Sequence, residues 1–472
     1  MSLSDSERVE MGDTPWFGDA CSLVDAFRSG DRSPVEELDV CLAAIDASDR
    51  NAFTHLDTDA ARANANAADV NLPFGGVPVA VKELEPVAGW PYNEASLVFA
   101  DRVADHDSTQ ITRLRSVGAN LFGQTAASEF GGLNVSITKL HGVTGNAWDK
   151  TRTAGGSSGG SASAVAGGLA PIASGGDGGG SIRIPAGFNG LFGMKGTAGR
   201  IPRGPEVLIG PMTVVVGCLA RSVRDTARWF DACNGFDSRD PYSLPRIDGW
   251  ERALDTHDLR GKRAVIAPTL GSAILRPEVE EIVREQGEAL AKHAGLQLVD
   301  VPLTLPGLGF EWAVANLATL LVDLGDLWPA CKDDLTMEIA FGLEMASGVM
   351  NLDIAATCER NRRAANEAMA DVFDQVDFVL CATNPDVAYP AEVTLNTRVG
   401  STTVGPENNG ALTIPANITG NPACSIPAGS LDGLPVGLQI IGRHHEDALL
   451  FDLARIVERE HPWPLVVPNA PV

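Results

Sequence analysis

The middle of the chain is unusually rich in small residues: residues 155–181 contain 11 glycines and 6 serines. A flexible linker of this composition is polar throughout. Here an apolar stretch, 162–174 ("ASAVAGGLAPIAS"), separates two glycine clusters, and apolar residues of this kind are usually buried. Because glycine has no Cβ, its backbone can approach a bound molecule closely. The pattern therefore predicts a buried segment whose backbone approaches a substrate, and it argues against a linker.

The composition is that of a large acidic globular protein. The chain has 472 residues, 44% of them hydrophobic and 21% charged, with a formal net charge of −25 at pH 7. This content suffices for a large core, whereas the charge repels nucleic acids and acidic membrane surfaces, so we expect neither as a partner. The eight cysteines show no metal-ligand spacing and residues 1–10 are polar. Both features predict a cytoplasmic protein with reduced, buried thiols.

Strand and helix patterns alternate along the chain, which predicts an α/β fold. Ser33, Pro34 and Glu36 form a capping box at the start of a helix. We find no internal repeat and no linker, so we predict one domain over residues 1–472, with a helical N-terminal segment at about 17–70. The predicted strands lie at 75–82, 119–125, 262–270, 296–303, 377–385 and 435–442.

The glycine-rich centre also contains a weaker motif. "GSSGG" at 156–160 fits the G-x-S-x-G nucleophile elbow of α/β-hydrolases, and several histidines follow it. That elbow directly follows a strand, but the preceding "DKTRTAGG" is not strand-like. An esterase with an essential downstream histidine is therefore a distant alternative. The chain has neither a Walker A motif nor H-E-x-x-H.

Four stretches, taken in order, carry a stronger pattern. They are "GGVPVAVKE" (75–83), "GQTAASEFG" (123–131), the glycine-rich block continued to "GRIPR" (155–203), and "NITGNPACSIPAG" with "GLPVGLQIIG" (417–442). Together they closely resemble the amidase signature family, from about residue 20 onward. The resemblance implies a single domain with a central twisted mixed β-sheet covered by helices on both faces. It also implies that neither a metal nor an organic cofactor is needed.

The resemblance further implies a Ser–cis-Ser–Lys triad, with Ser181 as nucleophile, Ser157 as relay and Lys82 as base. The chemistry is coherent, since a serine hydroxyl is a weak nucleophile that needs an adjacent base. A lysine serves as that base only when it is neutral, and burial lowers its pKa. Ser157 would pass the proton between Lys82 and Ser181 and return it to the leaving amine.

By the same resemblance, backbone N–H groups form an oxyanion hole at Gly178, Gly179, Gly180 and Ser181. Supporting hydrogen bonds are expected from Ser158, Asp177 and Arg183, and a backbone contact with substrate from Gly131. The chain departs from the family where aspartate usually follows the lysine, because Glu83 stands there and Glu85 lies close by. Carboxylates facing Lys82 would raise its pKa, so we predict that both point away.

Two functions share this machinery. The first is an amidase that hydrolyses a linear amide of a small molecule to acid and amine. The alternative is the A-type component of a glutamine-dependent tRNA amidotransferase, which delivers ammonia to a partner. Residues 204–225 lack the "YGL…SLDQIGP"-like stretch of that component, which favours the first function. The intact triad argues against a non-catalytic scaffold. The family resemblance leaves a homodimer open.

The segment at about 305–375 carries no recognisable family pattern, and in this family such a segment lines part of the acyl pocket. Its large apolar residues suggest an apolar or aromatic acyl group, although a core helix would have the same composition. These residues are Trp312, Leu317, Leu320 and Trp328.

Overall fold

The computed structural model describes residues 14–205, 213–468 and 470. Its main feature is a sheet of eleven strands. Within the described residues, the strands are β1 (Phe53–Leu56), β2 (Pro78–Lys82), β3 (Asn120–Thr125), β4 (Ile137–Thr138), β5 (Gly142–Val143), β6 (Ile172–Asp177), β7 (Phe192–Lys195), β8 (Val215–Ala220), β9 (Arg263–Ile266), β10 (Gln297–Leu298), β11 (Phe378–Ala382), β12 (Arg398–Val399), β13 (Thr402–Thr403), β14 (Ala423–Leu431) and β15 (Leu434–Gly442).

Helices flank this sheet. In the described part of the chain, the α-helices are α1 (Ala20–Ser29), α2 (Pro34–Ala47), α3 (Thr58–Asn66), α4 (Thr109–Ser116), α5 (Gly159–Ala166), α6 (Arg183–Asn189), α7 (Val223–Cys233), α8 (Pro277–Ala294), α9 (Gly309–Leu324), α10 (Met337–Val349), α11 (Leu352–Phe373), α12 (Ile414–Thr419) and α13 (Asp447–Glu460). Short 3-10 helices include Leu97–Phe99 and Glu129–Gly131.

The strand order in the main sheet is β1-β3-β2-β6-β8-β7-β14-β15-β11-β9-β10, and the two remaining strand pairs are β4-β5 and β12-β13. The sheet is mixed: β2 runs parallel to β3 and β6, whereas β6, β8, β7, β14 and β15 are antiparallel in succession. The predicted α/β fold with a central mixed sheet is therefore confirmed.

The strands β2 and β6 position the site. All five residues of β2 are buried, as expected for an apolar strand covered on both faces. Because β2 and β6 are parallel neighbours, their carboxyl ends meet at one edge of the sheet, where Lys82 ends β2 and Asp177 ends β6. The glycines of β6 suit this crowded position, since a Cβ at Gly175 would lie 2.6 Å from Leu219 Cδ2.

Helices α9, α10 and α11 form the segment that lacks a family pattern. Part of it packs as a separate apolar cluster against the 3-10 helix at 129–131, through Leu335, Ile339 and the ring of Phe130. The backbone N–H and the hydroxyl of Thr336 both donate to Glu129 Oε2, at 2.8 and 2.7 Å. The segment is thus attached to the loop beside the site.

Several local predictions agree with the structure. The capping box at Ser33 and Glu36 is present, with both hydrogen bonds formed. Each of the six ranges predicted as strands contains one, although β15 begins one residue before its range, at Leu434. The N-terminal region predicted as helical holds three helices, but it also contributes β1 to the sheet edge. The eight cysteines are free and buried.

Within the described residues, no single helix is long and apolar enough to cross a membrane, and α10 with α11 passes that test only as a pair bent by 108°.

Candidate active site

Lys82 lies at the carboxyl end of β2 with only 4% of its surface exposed. Its Nζ donates to Ser157 Oγ at 2.6 Å and approaches the Gly176 carbonyl at 3.5 Å. Burial lowers the pKa of Lys82 from 10.5 to about 7, although the charge of Asp177 and of nearby glutamates opposes this shift. The amine is therefore partly neutral at neutral pH and can accept a proton.

Ser157 lies in the first glycine-rich loop, and the Gly156–Ser157 peptide bond is cis. Its carbonyl accepts from the Ser128 N–H at 3.3 Å. Gly131 lies close to the Ser157 side chain, because a Cβ at Gly131 would be 3.5 Å from Ser157 Oγ. Gly131 also has a positive φ of 70°, which favours glycine. The structure thus places the residue predicted to contact substrate beside the predicted relay.

Ser181 lies between β6 and α6, with 8% of its surface exposed. Its carbonyl accepts from the Ser158 N–H at 3.3 Å. The Ser158 hydroxyl in turn donates to the Gly176 carbonyl and accepts from the Gly176 N–H, both at 3.3 Å. Ser158 therefore joins the two glycine-rich blocks, as its predicted supporting role requires.

The predicted oxyanion hole requires backbone N–H groups of residues 178–181 that are free to donate to a ligand. The Gly180 N–H donates to Asp177 Oδ1 at 2.8 Å, so this N–H is already engaged and its predicted role as an oxyanion donor does not fit the geometry. Within residues 14–205 and 213–468, nothing accepts a hydrogen bond from the N–H groups of Gly178, Gly179 and Ser181. These three N–H groups are the available donors.

Asp177 and Arg183 form a fully buried ion pair. Arg183 Nε and Nη2 donate to the two carboxylate oxygens, each at 2.9 Å. Burial alone would raise the pKa of Asp177, but the charge and hydrogen bonds of Arg183, with a bond from Asn417, hold it well below its ordinary value. Arg183 also donates to the carbonyl of Thr413 at 3.0 Å. The pair therefore fixes the loop before Ser181 and ties it to the start of α12.

The glutamates that follow the lysine are held by other groups. Glu83 Oε1 accepts from the Ala127 N–H at 2.6 Å, and Glu83 Oε2 lies 2.9 Å from His141 Nε2. Glu85 accepts from the Ser108 hydroxyl at 2.8 Å and from Gln110. None of these contacts involves Lys82, but the charges of both glutamates still act to raise its pKa, so the prediction that they point away holds for their hydrogen bonds and not for their charges. No sequence pattern pointed to His141 as a partner of Glu83.

One acidic cluster lies away from this site. The ligand-type atoms of Asp19, Cys21 and Asp225 lie within 4.8 Å of one another. The oxygens of Asp225 accept from the N–H groups of Ala20 and Cys21 at 3.0 and 2.9 Å, and Asp19 caps the same helix by accepting from Ser22. These carboxylates therefore stabilise the start of α1.

The amidase family model matches residues 36–451, which is most of the chain. The chain belongs to the amidase signature family. The stretches that resembled this family are thus correctly interpreted.

Three proteins illustrate what this amidase-family chain is similar to. The A component of the glutamyl-tRNA(Gln) amidotransferase of Chloroflexus aurantiacus is 33% identical over 93% of this chain and 95% of its own. A bacterial aryl acylamidase of the amidase signature family has a TM-score of 0.88 at 26% identity, over 95% of this chain and 97% of its own. A 6-aminohexanoate cyclic dimer hydrolase has a TM-score of 0.86 at 26% identity, over 97% and 99%.

Two residues beside the amidase-family site make hydrogen bonds that no sequence pattern indicated. Thr413 Oγ1 donates to the Gly179 carbonyl at 2.6 Å, and Trp312 Nε1 donates to the Gly178 carbonyl at 2.8 Å. From the sequence, Trp312 was predicted only as one of the large apolar residues of the segment at about 305–375. Thr413 lies just before the family-like stretch at 417–442, and that proximity was the available signal.

Proposed function

We propose that this chain cleaves the C–N bond of a carboxamide through an acyl-enzyme on Ser181. The observation that carries the proposal is the 2.6 Å contact between Lys82 Nζ and Ser157 Oγ, in a site where burial lowers the lysine pKa to about 7. A serine hydroxyl bonded to a partly neutral amine is a proton path, which is what a serine nucleophile requires.

The proposed reaction has two halves. Neutral Lys82 takes the proton of Ser157 while Ser157 takes that of Ser181, and Ser181 Oγ bonds to the carbonyl carbon. The N–H groups of Gly179 and Ser181 stabilise the oxyanion. The proton returns through Ser157 to the leaving nitrogen, the C–N bond breaks, and an acyl ester remains on Ser181. Water then attacks this ester along the same proton path, which releases the acid and restores the serine.

A second candidate is the A component of a tRNA-dependent amidotransferase. The curated relative that carries this name is 33% identical over nearly its whole length, which supports this function better than the free amidase. In that case the substrate is glutamine and the released ammonia passes to a partner-bound glutamyl-tRNA. The chemistry at Ser181 is the same in both functions.

One contact favours the free amidase with an apolar acyl group. The Trp312 ring covers the loop beside the nucleophile, since a Cβ at Gly179 would lie 2.9 Å from Trp312 Cζ2 and 3.4 Å from Ile414 Cγ1. An indole and an aliphatic side chain at this position suit an apolar or aromatic substituent better than the charged α-amino acid group of glutamine.

The nucleophile is tested by labelling with a fluorophosphonate probe. We expect the native chain to be labelled, Ser181→Ala to be unlabelled and Lys82→Met to be labelled far more slowly. Ser163→Ala is the matched control, because this buried serine lies in the same glycine-rich segment and donates to the Gly145 carbonyl outside the site. Undiminished labelling of Ser181→Ala would refute the proposal.

The two functions are then separated by substrate. The purified chain alone is assayed with aliphatic amides, aryl amides and glutamine, and again with glutamine in the presence of glutamyl-tRNA and the other amidotransferase components. Turnover of aryl amides by the chain alone identifies a free amidase. Turnover of glutamine that depends on the added components identifies the amidotransferase.

A further inference from the structure

Two side chains from distant parts of the chain hold the carbonyl groups of the loop before Ser181. The indole N–H of Trp312, on α9, donates to the Gly178 carbonyl at 2.8 Å. The hydroxyl of Thr413, just before α12, donates to the Gly179 carbonyl at 2.6 Å. Both carbonyls belong to glycines, whose peptide planes rotate more freely than those of other residues.

Fixing a carbonyl also fixes the N–H of the next residue. In a trans peptide the C=O and the following N–H point in opposite directions. The Thr413 contact therefore directs the Gly180 N–H the other way, and that N–H indeed reaches Asp177 Oδ1 at 2.8 Å. By the same geometry, the Trp312 contact directs the Gly179 N–H away from the indole. Within the described residues nothing accepts from this N–H, which leaves it for a ligand.

The position of the indole is itself fixed by the helical segment. Its ring packs on the loop, with Cζ2 only 2.9 Å from where a Cβ of Gly179 would lie. The adjacent Glu311 accepts from Asn361 of α11 at 2.7 Å, which ties α9 to the next helices. The orientation of one peptide beside Ser181 thus depends on the segment of the chain that carries no family pattern.

We infer that Trp312 is a positioning residue of the oxyanion hole: its indole N–H holds the Gly178–Gly179 peptide so that the Gly179 N–H faces the developing oxyanion. This inference rests on the proposed function, because it needs Ser181 as the nucleophile. It makes the segment around α9 a determinant of the catalytic rate as well as a wall of the site.

The test is Trp312→Phe, which keeps an aromatic ring and removes the N–H. We expect kcat to fall by about tenfold, the effect of losing one well-formed hydrogen bond in the transition state, with KM within about twofold. The affinity for a trifluoromethyl ketone, whose adduct carries the oxyanion, falls by the same factor as kcat. Trp463→Phe is the matched control, because the Trp463 indole also donates to a backbone carbonyl, that of Arg221 at 2.9 Å, and its kcat stays unchanged.

A raised KM with unchanged kcat would overturn the inference, since Trp312 would then only line the substrate pocket. Unchanged kcat and KM would overturn it as well. If Trp312→Phe does not fold, benzothienylalanine at position 312 replaces only the N–H by sulfur and must give the same fall in kcat. Fluorophosphonate labelling of Ser181→Ala distinguishes a failure of the proposed function from a failure of this inference. Persistent labelling of that variant rejects the proposed function. A wild-type kcat for the variants at position 312 rejects only the inference about Trp312.

Discussion

Removing the carboxylate charge next to Lys82 should move the pH profile of the reaction. Burial lowers the pKa of the Lys82 amine to about 7, and the charge of Glu83 is one of the groups that oppose this shift. Glu83→Gln keeps the size and an oxygen that can still accept from the Ala127 N–H. The negative charge is lost, together with its contact to His141 Nε2, so the pKa of Lys82 should fall further.

The lowered pKa has a large effect on the amount of usable base. At pH 7 an amine with the ordinary lysine pKa of 10.5 is neutral in about 0.03% of molecules, whereas one with a pKa of about 7 is neutral in roughly half. The neutral fraction therefore rises by roughly a thousandfold or more. Because only the neutral amine accepts the proton, kcat/KM should rise about tenfold per pH unit below pH 7 and level off above about pH 8.

The assay is kcat/KM for one amide from pH 5.5 to 9.5, for the native chain and for Glu83→Gln. We expect an inflection near pH 7 in the native chain and at lower pH in the variant. Arg260→Gln, an exposed residue bonded to Asp258, is the control that changes charge away from the site. A profile that is flat over this range would contradict a base with a pKa near 7, and one that still rises toward pH 10 would show that the pKa of Lys82 is not lowered.

Two further predictions concern stability. Asp177→Asn leaves Arg183 buried without a counter-charge, so the free energy of unfolding in urea should fall by about 3–5 kcal/mol, and a loss below about 1 kcal/mol would contradict the role given to this pair. Ser33→Ala removes the side-chain bond to the Glu36 N–H at the start of α2 and should cost about 1 kcal/mol in the same measurement. Ser33 makes no contact with the site residues described above, so kcat should not change in that variant. A fall in kcat would contradict this expectation, because it would show that the start of α2 affects the active site.

Apolar strands were the easiest elements to predict. The strands β2, β3, β11 and β15 have apolar residues flanked by turn residues, so their positions followed from pattern. The strand β6, "IASGGD", was not predicted, because glycine has low strand propensity and only its neighbours β2 and β8 give it a place in the sheet. The strand β1 was not predicted either, because it consists of only four half-buried residues between helices and is held in the sheet by its pairing with β3.

At the site, the sequence by itself determined which reactive groups are present. A lysine that ends an apolar strand, two glycine-rich blocks and their serines carry the family pattern, and burial of that strand follows from its composition. Tertiary structure decided which backbone groups remain available. The Gly180 N–H is taken by Asp177, and the peptides before it are held by Trp312 and Thr413, far away in the chain. The physical reason is that a glycine peptide has little orientation preference of its own, so contacts with distant residues set its direction.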